Sequence, residues 1–216
     1  MRLVDRDYLI FREVDRWRFC LGRHIKILTG FSNQRACDRR LHKLIDMGYL
    51  KREKIIYGVP SIYKLTYKSK MLISANKRQD KIRLDNIIHD ITVLDTAIFF
   101  HYYFKIPFKN IISEKQLHSK DGFNIRNHQP DYIFSKDNKT YCVEVELSLK
   151  SKERLENNLK SNFMAYDIQI WIIKDYHSKL YKILKNKEKQ YSNMKIINIE
   201  KVGKYVRDNF SYRSAD

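Results

Sequence analysis

Cysteine, proline, glycine and long apolar runs are all scarce in this chain, and each shortage excludes something. Its three cysteines, Cys20, Cys37 and Cys142, are far apart and odd in number. A disulfide framework and a CxxC metal knuckle are therefore excluded, and the thiols suit buried positions in a reducing cytoplasm. Six glycines and three prolines in 216 residues leave little material for long loops, so most of the chain is expected in regular elements. No apolar run approaches the ~20 residues of a membrane span. The opening MRLVDRDY lacks the apolar core of a signal peptide. Acidic residues are the last shortage: 25 Asp and Glu against 43 Lys and Arg leave a net charge of +18. A protein this basic meets a polyanion, either nucleic acid or an anionic surface.

What is present divides into two segments. Residues 1–75 carry more than their share of the charge, with 17 Lys and Arg against 7 Asp and Glu up to residue 70. Tyr8, Leu9, Phe11, Val14 and Trp17 recur at helical spacing across Asp5–Phe19. A second helix is expected over about Leu21–Thr29, stopped by Gly30. Ser32 is the expected N-cap of a third, about Asn33–Met47, closed by Gly48. Its buried stripe would be Cys37, Leu41, Leu44 and Ile45. Asn33, Gln34, Arg35, Arg39, Arg40, His42 and Lys43 occupy the other sides. Tyr49–Ile56 and Ile62–Tyr67 then form a hairpin about a turn at Tyr57–Ser61. It carries Lys51, Arg52, Lys54 and Lys64.

Helix, helix, basic helix and basic hairpin make the winged form of the helix-turn-helix. The third helix would enter the major groove of double-stranded DNA and the hairpin would lie along phosphates. The same pattern also describes a three-helix scaffold whose cations merely face water.

A polar stretch, residues 76–83, separates this segment from residues 84–216. There the pattern predicts a long helix, about Leu84–Phe104, with a stripe of Leu84, Ile87, Ile88, Ile91, Leu94, Ile98 and Phe104. A short strand, Asn110–Ser113, ends at Glu114. Two further strands, Tyr132–Phe134 and Tyr141–Leu147, flank the turn chemistry of Ser135–Lys139. A helix over about Lys152–Tyr166 follows, with Leu155, Leu159, Phe163 and Tyr166 as its stripe. Next come the apolar strand Ile168–Ile173, a basic helix over Ser178–Lys189, a strand over Lys195–Ile199 and a short final helix. The expected class is α/β, with helices covering a mixed sheet.

Alternation along Tyr141–Leu147 sends Val143, Val145 and Leu147 one way and Cys142, Glu144 and Glu146 the other. A strand whose carboxylates simply face water shows the same pattern. The preceding strand, however, can bring Asp131 beside the two glutamates. Three gathered carboxylates call for a cation, and Mg²⁺ is the ion that prefers oxygen ligands and also accepts a phosphate oxygen.

The order α-β-β-β-α-β, with Pro130-Asp131 before one strand and EVELSLKS on the next, resembles the PD-(D/E)XK nuclease fold. The whole chain, a winged helix followed by His89-Asp90, Ser113-Glu114, Pro130-Asp131 and EVELSLKSKERL, is similar to the replication-relaxation family of plasmids and mobile elements. It is also similar to the MobC-type conjugative relaxases. The resemblance implies that Asp131 and Glu144 are ligands of Mg²⁺ or Mn²⁺, completed by the carbonyl of Val145, with Glu114 as a nearby acid. The lysine position two beyond Glu144 holds Glu146 instead. Alternatively Glu146 is the (D/E) residue, Ser148 stands in the lysine position, and Lys150 swings back to the site.

The function so implied is a metal-dependent DNA nickase or relaxase of a mobile element. It would act at an origin of transfer, alone, as a homodimer or with other relaxosome proteins. The alternative is a non-catalytic winged-helix regulator or replication accessory whose nuclease fold serves dimerisation or DNA wrapping. A tyrosine-nucleophile nickase fits poorly. Such enzymes hold metal with clustered histidines, and the seven here are scattered, no two closer than ten residues.

Overall fold

The computed structural model describes residues 2–77, 80, 82–121 and 127–203. The chain divides into two compact units, Met1–Ile91 and Thr92–Asp216. Among the described residues no helix is long and apolar enough to cross a membrane.

The first unit runs α1 (Asp5–Arg16), β1 (Cys20–Leu21), α2 (Gly22–Leu28), α3 (Gln34–Asp46), β2 (Leu50–Glu53), β3 (Ile62–Leu65) and α4 (Tyr67–Leu72). Its three strands form a small antiparallel sheet in the order β1-β3-β2. The helix ends follow from local chemistry. Gly30 and Gly48 take φ of +64° and +73° one residue beyond the caps of α2 and α3. There Phe31 N–H reaches Lys26 O (3.1 Å) and Tyr49 N–H reaches Leu44 O (2.8 Å), satisfying carbonyls the helices would otherwise leave bare.

Four details of this unit differ from expectation. The cap of α3 is Asn33, whose side chain accepts from Ala36 N–H at 2.8 Å, and not Ser32. Cys20–Leu21, expected to run from one helix into the next, are extended and pair with Tyr63 and Ile62. The hairpin strands are shorter than their apolar runs, because Ile55, Ile56 and Val59 leave the ladder to pack on a core of Phe19, Leu21, Ile62, Ile87 and Ile91. Finally, β3 stops at Leu65 because Thr66 caps α4, a helix the sequence pattern did not suggest. The Thr66 hydroxyl also donates to Gly48 O at 2.7 Å.

The second unit contains most of α5 (Ile87–Tyr103). It continues through β4 (Ile112–Ser113), α6 (Glu114–His118), β5 (Tyr132–Lys136), β6 (Lys139–Glu146), α7 (Lys152–Ala165), β7 (Ile168–Ile173), α8 (Lys179–Lys187) and β8 (Met194–Asn198). The sheet order is β4-β5-β6-β7-β8, antiparallel up to β6 and parallel thereafter. A two-residue turn, Asp137 and Asn138 at φ +51° and +58°, joins β5 to β6. Positive φ at both positions matches the twist of a tight hairpin. Residues after 203, where the final helix was expected to lie, are outside the described ones.

Helices cover both faces of this sheet. On one face Phe100 and Phe104 of the α5 region pack on Phe134 (centroids 5.6 and 5.8 Å), and Tyr132 donates its hydroxyl to Thr96 at 3.0 Å. On the other, Trp171 and Ile173 of β7 pack with Leu155 and Leu159 of α7 and Leu180 and Leu184 of α8. The α7 stripe is rotated from expectation. Phe163 is partly exposed, while Asn158 and Asn162 are buried beside Leu155 and Leu159. In α5, Ile87, Ile91, Leu94 and Ile98 are buried as the pattern suggests, but Leu84 and Ile88 are exposed and Leu84 lies in a short 3-10 turn ahead of the helix.

Candidate functional site

The acidic residues meet at the C-terminal end of β6. The β5–β6 ladder ends at Tyr132 opposite Val143, and Asp131, the residue before it, continues the register towards Glu144 and binds Val145 N–H through its side chain. Residues that continue an antiparallel register share a face of the sheet. Glu146, two positions on, lies on that same face. Ser113 pairs with Tyr132, which brings Glu114 alongside, and Glu114 N–H donates to Asp131 O at 2.8 Å.

Glu144 and Glu146 do not face water: each is only 2% exposed. Each has its own partner. Glu144 Oε1 accepts from Asn162 Nδ2 at 3.0 Å and lies 2.9 Å from His128 Nε2. Glu146 is ion-paired with Lys150, which reaches back from the loop after β6. Asp131 Oδ2 accepts from the backbone N–H of Val145 at 2.7 Å. Glu114 turns towards His118 on its own helix (3.5 Å). His118 in turn meets Asp121 at 2.6 Å, and Gln129 Nε2 donates to Asp121 at 3.1 Å.

Burial and charge set the protonation of this cluster. Loss of solvent pushes the Glu146 carboxyl up to about 7; Lys150 opposes that rise, and Glu144 and Asp131 reinforce it. For Lys150, burial pulls the pKa down, but Glu146, with Glu144 behind it, outweighs burial and leaves it raised. Lys150 is therefore a fixed cation at neutral pH, while Glu146 titrates within the physiological range. Burial likewise pushes the neighbouring Tyr166 up to about 12, with Cys142 and Glu144 adding to the shift.

The donor set can be tested against the metal that the sequence implies. Among the described residues no group of three or more His, Cys, Asp or Glu side chains could hold a metal ion. Among those residues a closed all-protein cage of the zinc or calcium kind is thus not built. Mg²⁺ needs less, being held by one or two carboxylates plus waters and substrate phosphate. Asp131 and Glu144, opposed across two strands, fit that smaller requirement.

The residues of the first unit expected to contact DNA separate into two groups. Arg35, Arg39 and Lys43 of α3 are exposed, as are Lys51 and Arg52 of β2. The others have structural tasks. Asn33 caps α3, and Gln34 Nε2 donates to Asp38 at 2.6 Å. Lys54 bonds Val59 O across the hairpin tip, and Lys64 pairs with Glu53 at 2.6 Å. Arg40, expected to face a groove, instead clasps Asp7 of α1 with Nε at 2.7 Å. Asp7 is completely buried, and a buried carboxylate needs such a countercharge. Asn162 and His128 were not singled out from the sequence. The available sign was that Asn158 and Asn162, four apart, share the helical face of Leu155 and Leu159.

Compared with known proteins, the chain matches no family model and no curated sequence.

Proposed function

We propose that this chain binds duplex DNA through its first unit and cuts one strand of it, with the help of a divalent metal ion, in its second. The observation that carries this reading is the set of inward carboxylates at the end of β6. Two fully buried glutamates beside Asp131 are costly to a fold, and a surface strand has no need of them. The surroundings support it. The order α1-β1-α2-α3-β2-β3 with sheet order β1-β3-β2 supports reading the first unit as a winged helix. The sheet β4-β5-β6-β7-β8, with α7 linking β6 to β7, supports a PD-(D/E)XK reading of the second unit.

Asp131 and Glu144 would hold Mg²⁺ or Mn²⁺, which when bound supplies a Lewis acid for the scissile phosphate and an acidified water. The residues themselves divide the remaining work. Glu146, titrating near pH 7, is suited to take the proton from the attacking water. Lys150 stays charged, so its role is to offset negative charge growing on the phosphoryl oxygens, and not to act as base. Arg35, Arg39 and Lys43 would face the groove, and Lys51 and Arg52 the phosphates. In this reading the protein nicks the transfer or replication origin of a mobile element.

A second reading is a non-catalytic DNA-binding regulator. One observation favours it: the carboxylates are already compensated by Lys150, His128 and Asn162, so the cluster stands without a metal. Supercoiled DNA carrying the origin, incubated with wild type, Asp131→Ala and Glu144→Ala in Mg²⁺ or Mn²⁺, separates the two. Nicking by wild type alone supports the enzyme. DNA that stays supercoiled while shifting on a gel leaves the regulator.

A further inference from the structure

The lock on Glu144 has one loose end. Asn162 is 1% exposed, and a carboxylate can only accept, so its amide nitrogen must face Glu144. Its carbonyl oxygen Oδ1 is then left buried and has no hydrogen-bond partner. A buried acceptor without a donor is rare and calls for an explanation. Packing does not provide one. The position lies on the helical face of Leu155 and Leu159, which is lined against Trp171 and Ile173 of the sheet, and an apolar side chain would suit that core. Because an amide is planar and short, Oδ1 cannot lie far from the carboxylate that Nδ2 holds. On the other flank His128, less than a quarter exposed, brings Nε2 to the same Glu144 oxygen. One carboxylate is thus aimed by two side chains from two different elements, and one of those keeps an acceptor in reserve.

We infer that Asn162 and His128 are positioning residues that aim Glu144 at a divalent metal ion, and that Asn162 Oδ1 accepts a hydrogen bond from a water held by that ion. The inference deepens the metal-dependent reading above and rests on it. Partners that orient a ligating carboxylate contribute about 10–100-fold to metal affinity without touching the metal. A metal-bound water is a strong donor and is the kind of group Oδ1 lacks.

The test is Mn²⁺ titration of the full-length protein by calorimetry, comparing wild type, Asn162→Leu and His128→Gln. Thermal melts in chelator run alongside. The expected result is a loss of at least tenfold in Mn²⁺ affinity for Asn162→Leu and a several-fold loss for His128→Gln, each at a temperature where the variant is folded. A purely structural role would shift the melting temperature and leave the Mn²⁺ affinity of the folded protein unchanged, and that result overturns the inference. Should Asn162→Leu fail to fold, His128→Gln, changed at a partly exposed site, decides alone by the same criterion. Absence of Mn²⁺ binding by wild type would instead overturn the metal-dependent reading, and this inference with it. In a crystal of the Mn²⁺-loaded protein a solvent oxygen is expected within hydrogen-bond distance of Oδ1. An empty position there refutes the assignment of the acceptor.

Discussion

At the scale of single residues, the structure is governed by buried charges and the partners they require. Glu146 is the clearest case. Its folded pKa of about 7 stands above the ordinary 4.5, so the folded state holds the proton more tightly than the unfolded chain does. Its favourable contribution is complete below about pH 4.5 and disappears as pH rises through about 7. The difference amounts to about 3 kcal/mol. Urea titrations of metal-free protein are expected to show stability declining across this window, and Glu146→Gln to flatten the decline. Arg40 and Asp7 make a different case. Removing Arg40 strands a carboxylate with no access to water. Arg40→Ala is expected to cost about 3 kcal/mol in urea denaturation. The exposed Arg39→Ala is expected to change stability by less than about 0.5 kcal/mol while weakening DNA binding.

At the scale of elements, the hairpin β5–β6 places Asp131 against Glu144, and its turn holds that register. Asn138 at φ +58° occupies a conformation that asparagine tolerates and β-branched residues resist. Asn138→Gly is expected to leave the melting temperature unchanged or raise it, and Asn138→Val to lower stability by about 1–2 kcal/mol. The hairpin was legible in the chain because alternation and turn chemistry are local signals that reinforce each other. Helix α4 was not, because the apolar run read as strand continued through Thr66 to Tyr67, and only the Thr66 cap turns it into a helix. The α7 stripe was misread for a related reason. Phe163 is more apolar than Asn162, but the rotation of a helix is chosen by everything on its buried face, including a carboxylate in need of a donor.

At the scale of the whole molecule, the net charge of +18 is the property that other molecules meet first. If the exposed cations of α3 and β2 touch phosphates, DNA affinity will fall steeply with salt. The slope of log affinity against log salt is expected to lessen by about 0.9 for each lost contact. Lys51→Ala and Arg52→Ala, measured by fluorescence anisotropy over a salt series, are the variants to compare. An unaltered slope in both would show that the hairpin does not lie on the DNA backbone.

The approach of Lys150 to the site was one alternative implied by the family resemblance, while the mixed α/β class, most of the element order and the common face of Glu144 and Glu146 were readable from residue types and spacing. Each of the latter depends on neighbours in the chain or on a period of two or 3.6 residues. Which groups meet across long separations was decided by the tertiary structure alone. Arg40 turned inward because Asp7, 33 residues earlier, is buried beneath it. Asn162 and His128 gained their importance from lying against Glu144, 18 and 16 positions away, on a helix and a loop whose own patterns do not mention it. Burial is a property of the packed whole, and a carboxylate acquires its partners, and its acidity, only when the surrounding elements have closed over it.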